Sequence, residues 1–124
     1  MSMRENNFTQ IGQCGIQIGT GFWSTLCSEH NIGKNGKLFM NDDNDDLKEL
    51  KLDKIDAYFQ ESAPSEAMRF TPRAVLIDSD PGMIDIIKAS SMRALFKPNN
   101  YCFGTTGDGY NTWYDSVLYF LQTQ

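Results

Sequence analysis

Three short apolar segments in this chain each run directly into a turn built from glycine or aspartate, and that repetition constrains the fold more than any other feature. Residues 8–11 lead into Gly12-Gln13-Cys14-Gly15, residues 73–77 into Asp78-Ser79-Asp80-Pro81-Gly82, and residues 101–103 into Gly104 and the run to Gly109. A strand followed by a tight turn and a helix, repeated, is the unit of a parallel sheet with right-handed crossovers. Such sheets place their ligand-binding turns beyond the carboxyl ends of the strands. Small residues there let backbone amides and a helix N-terminus approach negative charge. The acidic middle turn suits a hydrated cation.

Between these landmarks the pattern predicts a helix from Gly12 to about His30. Ile18, Phe22 and Leu26 recur at i, i+4 and i+8, with Trp23 and Cys27 widening the apolar face. Gly19 and Gly21 weaken that helix by about 1 kcal/mol each relative to alanine, so close packing is expected at both. Residues 41–54 read as an acidic loop with a short helical turn at its end, either solvated or in contact with a partner. Residues 55–59 read as a short extended segment and 62–69 as loop. The aliphatic run at 73–77 predicts a strand buried on both faces. A second helix is expected over 83–94 with Ile84, Ile87 and Leu95 inward, then a break at Lys97-Pro98-Asn99-Asn100. A last helix is expected over 114–121 with Val117, Leu118 and Leu121 on one side. The fold class is α/β, a partial Rossmann-like three-layer fold with about three parallel strands and flanking helices, in one domain over 1–124.

Composition excludes several functions. A net charge of −5 opposes general affinity for nucleic acid or anionic membrane. No apolar run approaches membrane-spanning length, and residues 1–10 do not resemble a secretory signal. Three cysteines, Cys14, Cys27 and Cys102, are too few and too scattered for a disulfide framework and point to a reducing, intracellular setting. One histidine and no paired cysteines leave a structural zinc site almost without ligands.

The motifs themselves resemble the amino-terminal quarter of tubulin, nearest the β class. The resemblance rests on Gly12-Gln13-Cys14-Gly15 with Gln17-Ile18-Gly19, on Phe22-Trp23 and Glu29-His30, and on Thr71-Pro72-Arg73-Ala74-Val75-Leu76-Ile77-Asp78 with Asp80-Pro81-Gly82. It continues through Leu95-Phe96-Lys97-Pro98-Asn99-Asn100-Tyr101 with Phe103-Gly104, and through Tyr114-Asp115-Ser116-Val117-Leu118. The resemblance implies a vestigial guanine-nucleotide site. Gln13 and Cys14 would contact the nucleotide and Gln17 would reach toward the base. Asp78 and Asp80 would lie near magnesium-bound phosphates, Asp80 holding the metal through water, and Gly107, Asp108 and Gly109 would form the third phosphate loop.

Departures from the family pattern weaken that site. Where the family has Gly-Ala-Gly-Asn-Asn, this chain has Gly107-Asp108-Gly109-Tyr110-Asn111, and Asp108 would set a carboxylate against phosphate. Asn6 and Asn7 replace apolar residues at the first strand. The family's Gly-Gly-Gly-Thr-Gly-Ser-Gly loop and its catalytic region do not occur in these 124 residues. The expectation is therefore a non-catalytic, tubulin-derived structural subunit, binding GTP and magnesium weakly at most. Its partners would be other subunits of an assembly, tubulin or microtubule-associated proteins among them, in the cytoplasm, the cytoskeleton or a cilium. The alternatives are a guanine-nucleotide-binding regulatory module without its own GTPase activity, and a subunit of an assembly unrelated to microtubules. Strand one is expected at a sheet edge. His30 reads as a helix-end residue, Cys14 as a packed turn residue, and Trp113 and Tyr114 as core or interface aromatics.

Overall fold

The computed structural model describes residues 5–39, 45–62 and 68–104. Strand β1 (Phe8–Ile11) passes directly into helix α1 (Gly12–Glu29), the transition made by Gly12 at φ +72°. Helix α2 (Asp45–Asp56) follows, then strands β2 (Phe59–Ser62), β3 (Arg69–Pro72) and β4 (Ala74–Asp78). Helix α3 (Gly82–Ala89), a 3-10 turn (Pro98–Asn100) and strand β5 (Tyr101–Phe103) complete the described elements.

The main sheet has the order β1-β4-β5, all parallel, with Phe8 opposite Ala74 and Leu76 opposite Tyr101. Among the described residues strand one is thus at an edge, as the sequence predicts. Two right-handed crossovers advancing in one direction place α1 and α3 on the same face of this sheet. That face holds the core. Trp23 is fully buried, with its ring centroid 5.3 Å from Phe8 and 5.4 Å from Phe59, both edge-on. Ile16, Leu76, Ile84 and Leu95 are buried in the same cluster. Ile84, Ile87 and Leu95 point inward as expected.

Helix α1 buries Trp23, Leu26 and Cys27 as expected, but its inward face is rotated away from Ile18 and Phe22. It buries Ile16, Gly19, Trp23, Leu26 and Cys27, while Ile18 is 68% exposed and Phe22 38% exposed. Gly19 sets this orientation. It lies against the side chain of Gln10, bringing the helix axis down onto β1 and turning Ile18 away. Gly21 has nothing near enough to require a glycine, so the expected close packing holds at Gly19 only.

The acidic loop expected over 41–54 is largely helix α2. Ile55 is buried and Leu52 packs against the core, so tertiary contact outweighs the polar composition. Arg73 fastens the end of α2: its Nε donates to the Asp56 carbonyl and its guanidinium to Asp56 Oδ1, both at 3.0 Å. The extended segment expected at 55–59 is instead the end of that helix, with β2 starting at Phe59. Part of the loop expected at 62–69 belongs to an antiparallel β2–β3 hairpin, Phe59 opposite Pro72 and Ser62 opposite Arg69.

Strand β4 was expected to be covered on both faces. Ala74 and Leu76 are buried but Val75 is 40% exposed, because helices lie over one side only among the described residues. The helix expected over 83–94 ends at Ala89. Ser90 turns extended, its hydroxyl donates to the Ile87 carbonyl at 2.7 Å, and it accepts from the Met92 amide at 3.2 Å. That local bonding competes with helix continuation. The expected helix at 114–121, the loop residues Gly107, Asp108 and Gly109, and Trp113 and Tyr114 lie outside the described residues.

Candidate functional site at the carboxyl edge of the sheet

Parallel pairing brings the three strand ends to one edge. Ile11 is opposite Ile77 and Asp78 is opposite Phe103, so Gly12, Asp78 and Gly104 open neighbouring loops. The amide of Gly104 donates to the Asp78 carbonyl at 3.0 Å, tying the start of the third loop to the second.

At the first loop, α1 starts without a side-chain cap and without an acidic residue in its first turn. Its leading N–H groups therefore lack intrahelical partners and carry the positive end of the helix dipole. Gln13, Cys14 and Gln17 are all exposed on or just beyond this first turn. Cys14 is consequently an exposed thiol and not the packed turn residue that the sequence suggested.

The second loop is internally bonded. Asp78 Oδ1 accepts from the Asp80 amide at 3.2 Å, and Asp80 Oδ1 accepts from the Gly82 amide at 3.0 Å. Asp80 thus sits at the start of α3 with one oxygen engaged. Among the described residues no group of three or more histidine, cysteine or acidic side chains could hold a metal. Two carboxylates alone would leave most of a magnesium octahedron to water or phosphate oxygens. Gln13, Cys14, Gln17, Asp78 and Asp80 are on the same sheet edge, and the third-loop residues fall outside the described part.

Two supporting residues escaped the sequence reading. Gln10 is buried beneath the first loop with Oε1 lacking a partner, pressed against Gly19. Its polarity in a strand gave no hint of burial. Asn100 binds three backbone groups: its amide donates to the carbonyls of Ala74 at 2.7 Å and Pro72 at 3.2 Å, and its Oδ1 accepts from Lys97. The Lys-Pro-Asn-Asn break could have signalled it, since asparagine caps turns through such bonds.

His30 closes α1, its amide bonding to the Leu26 carbonyl. Burial pushes its imidazole below the ordinary 6.5; Glu29 opposes this and Lys54 reinforces it. Burial likewise raises the Cys27 thiol to about 11, which makes it an inert core residue.

This arrangement of loops coincides with a family match. The model of the tubulin/FtsZ family GTPase domain matches residues 7–116. The chain belongs to that family. Among tubulin relatives, the β chain of the Guillardia theta nucleomorph is 44% identical over 111 residues, and the β chain of Candida albicans is 42% identical over 111. The β-6 chain of Gossypium hirsutum is 40% identical. Each alignment covers 90% of this chain but only 22–23% of the relative. The chain thus spans under a quarter of the length of these tubulins, matching an amino-terminal fragment, and its sheet is the corresponding part of a Rossmann-like domain.

Proposed function

We propose that these 124 residues act as a non-catalytic, tubulin-derived structural subunit of a larger protein assembly, cytoskeletal and cytoplasmic in location. The observation that carries this reading is the open edge and open face of the parallel sheet among the described residues. Its edge strand β1 pairs with β4 alone among the described residues, and Ile11 and Val75 are 67% and 40% exposed. Parallel sheets are normally covered on both faces, and an open edge is a template for another chain. A microtubule or an axoneme is the setting that ancestry suggests, although kinship of fold does not fix the assembly. Hydrolysis of GTP is not expected of these residues, which contain no Gly-Gly-Gly-Thr-Gly-Ser-Gly loop.

The test is native affinity purification under mild conditions with cross-linking mass spectrometry. Reproducible cross-links from Lys34 or Lys97 to defined neighbours would support the reading, and recovery of the protein alone would defeat it.

A second reading has its own observation, the uncapped N-terminus of α1 on the same sheet edge as the Asp78–Asp80 loop. Here the chain is a regulatory module that holds guanine nucleotide weakly through Gln13, Cys14, Gln17 and Asp80. A labelled guanine nucleotide would then bind in the presence of magnesium and be lost on Asp80→Ala. Equal retention by the variant would count against it.

A further inference from the structure

Between α1 and α2 the chain makes a loop over residues 31–39 that docks on β3. Ile32 bridges Leu38, Lys37 bridges Arg69, and the Gly36 carbonyl accepts from the Phe70 amide at 2.8 Å. The half-buried Asn35 precedes Gly36 in this loop. Gly36 has φ +79°, and a Cβ there would press on the Phe70 carbonyl, so only glycine fits. An asparagine followed by glycine leaves its side-chain amide open to the next backbone nitrogen, because no Cβ obstructs closure of a five-membered ring.

The loop prepares the electrophile. Asn35 Oδ1 accepts from the Lys37 amide at 3.1 Å. A donor in that place stabilises the negative charge that grows on Oδ1 when Cγ is attacked. Lys34 and Lys37 flank the pair in sequence. Arg69 stands opposite Lys37, its Cγ 3.2 Å from where a side chain on Gly36 would begin. Among the described residues no carboxylate pairs with any of these three cations. Their field favours an ionised amide nitrogen and an anionic tetrahedral carbon. One contact works the other way: the Gly36 amide donates to the Gly33 carbonyl at 2.8 Å and must let go before it attacks. A single neutral turn bond has a small net worth, so opening it slows attack by less than about tenfold.

We propose that Asn35 is a site of spontaneous deamidation in the folded chain. The Gly36 nitrogen gives its proton to hydroxide and bonds to Asn35 Cγ. The Cγ–Nδ2 bond breaks, and Nδ2 takes a proton from water and leaves as ammonia. Water then opens the resulting succinimide at either carbonyl. Cleavage of the Cγ–N bond gives aspartate at position 35. Cleavage at the main-chain carbonyl gives isoaspartate, whose backbone is one methylene longer. Water is the only reagent, and no oxidation or reduction occurs. Either product sets a carboxylate beside Lys37 and Arg69, two like charges on facing positions. The longer backbone of isoaspartate also disturbs the bonds that hold the start of β3. This inference uses neither the nucleotide site nor the assembly reading.

The test is incubation of the full chain in mildly alkaline buffer, with peptide fragmentation mass spectrometry over weeks and isoaspartyl methyltransferase labelling. Asn35 should convert at least about tenfold faster than Asn31 and Asn100, which precede side chains with a Cβ. The folded chain should convert within about tenfold of the rate in denaturant, since only one turn bond protects the nucleophile. Asn35→Gln, which keeps the amide, should abolish the isoaspartate label. A smaller preference for Asn35 overturns the proposal. So does a folded chain protected by more than that factor, or a label that survives in Asn35→Gln.

Discussion

The two faces of the three-stranded sheet are made by alternate residues of the same strands, yet among the described residues helices cover only one of them. On one side Phe8, Gln10, Ala74 and Leu76 lie under α1 and α3, with Trp23 at the centre of an aromatic cluster. On the other, Thr9, Ile11, Val75 and Cys102 are exposed and Ile77 is half-buried. A soluble edge sheet would place polar residues on its open side, whereas Ile11, Val75 and Ile77 are apolar. Among the described residues the open face thus carries the side chains of a covered sheet, a mismatch that supports the assembly proposed above.

The comparison breaks first at its buried side. Trp23→Ala should cost about 3–5 kcal/mol, and Leu76→Ala about 2–5 kcal/mol, by removing fully buried side chains. Chemical denaturation would measure both, and a loss below about 1 kcal/mol at Trp23 would show that this face is not the core. Next is Gly19→Ala, whose methyl group would collide with the Gln10 side chain. Overpacking there should cost about 1–3 kcal/mol despite alanine's better helix propensity. Replacing Gln10 with Ala in the same chain should restore much of the loss.

The open side should respond far less. Val75→Thr, next in sequence to Leu76, should change the stability of the isolated protein by less than about 0.5 kcal/mol. In a covered assembly the same substitution should cost more, so the difference between the two measurements reports coverage directly. The smallest effect concerns His30. Its folded pKa lies below 6.5, so the unfolded chain binds more protons as pH falls through that value. Its contribution is fully present above about pH 6.5 and declines as pH falls below it. His30→Gln should flatten that part of the stability profile; an unchanged slope would assign it to other groups.

Much of this architecture was legible before the coordinates. The three strands, their parallel order and the positions of the glycine and aspartate turns follow from a local alternation that sequence displays directly. Helix α2 and the β2–β3 hairpin were not legible, since their stability depends on distant anchors such as Ile55 in the core and Arg73 on Asp56. In α1, Trp23, Leu26 and Cys27 were legible as core, whereas apolar spacing also favours Ile18 and Phe22, which a close contact at Gly19, a residue without a side chain, turns outward. At the candidate site, Gln13, Gln17, Asp78 and Asp80 were singled out by the family resemblance, and the structure places them on one sheet edge. The burial of Gln10 and the bridging by Asn100 depend on neighbours that no local window contains.

The pairing of β1 has a consequence for how this chain reaches its fold. Phe8 finds its partner in Ala74, roughly 66 residues later, whereas α1 and the β2–β3 hairpin close locally. Loop-closure entropy is spent before any bond of the main sheet repays it. During synthesis β1 therefore waits, unpaired on both edges, until more than half of the chain has been made. A chain in that state is exposed to strand addition by other molecules, so the supply of chaperones or of its assembly partner would govern its yield before its final stability does.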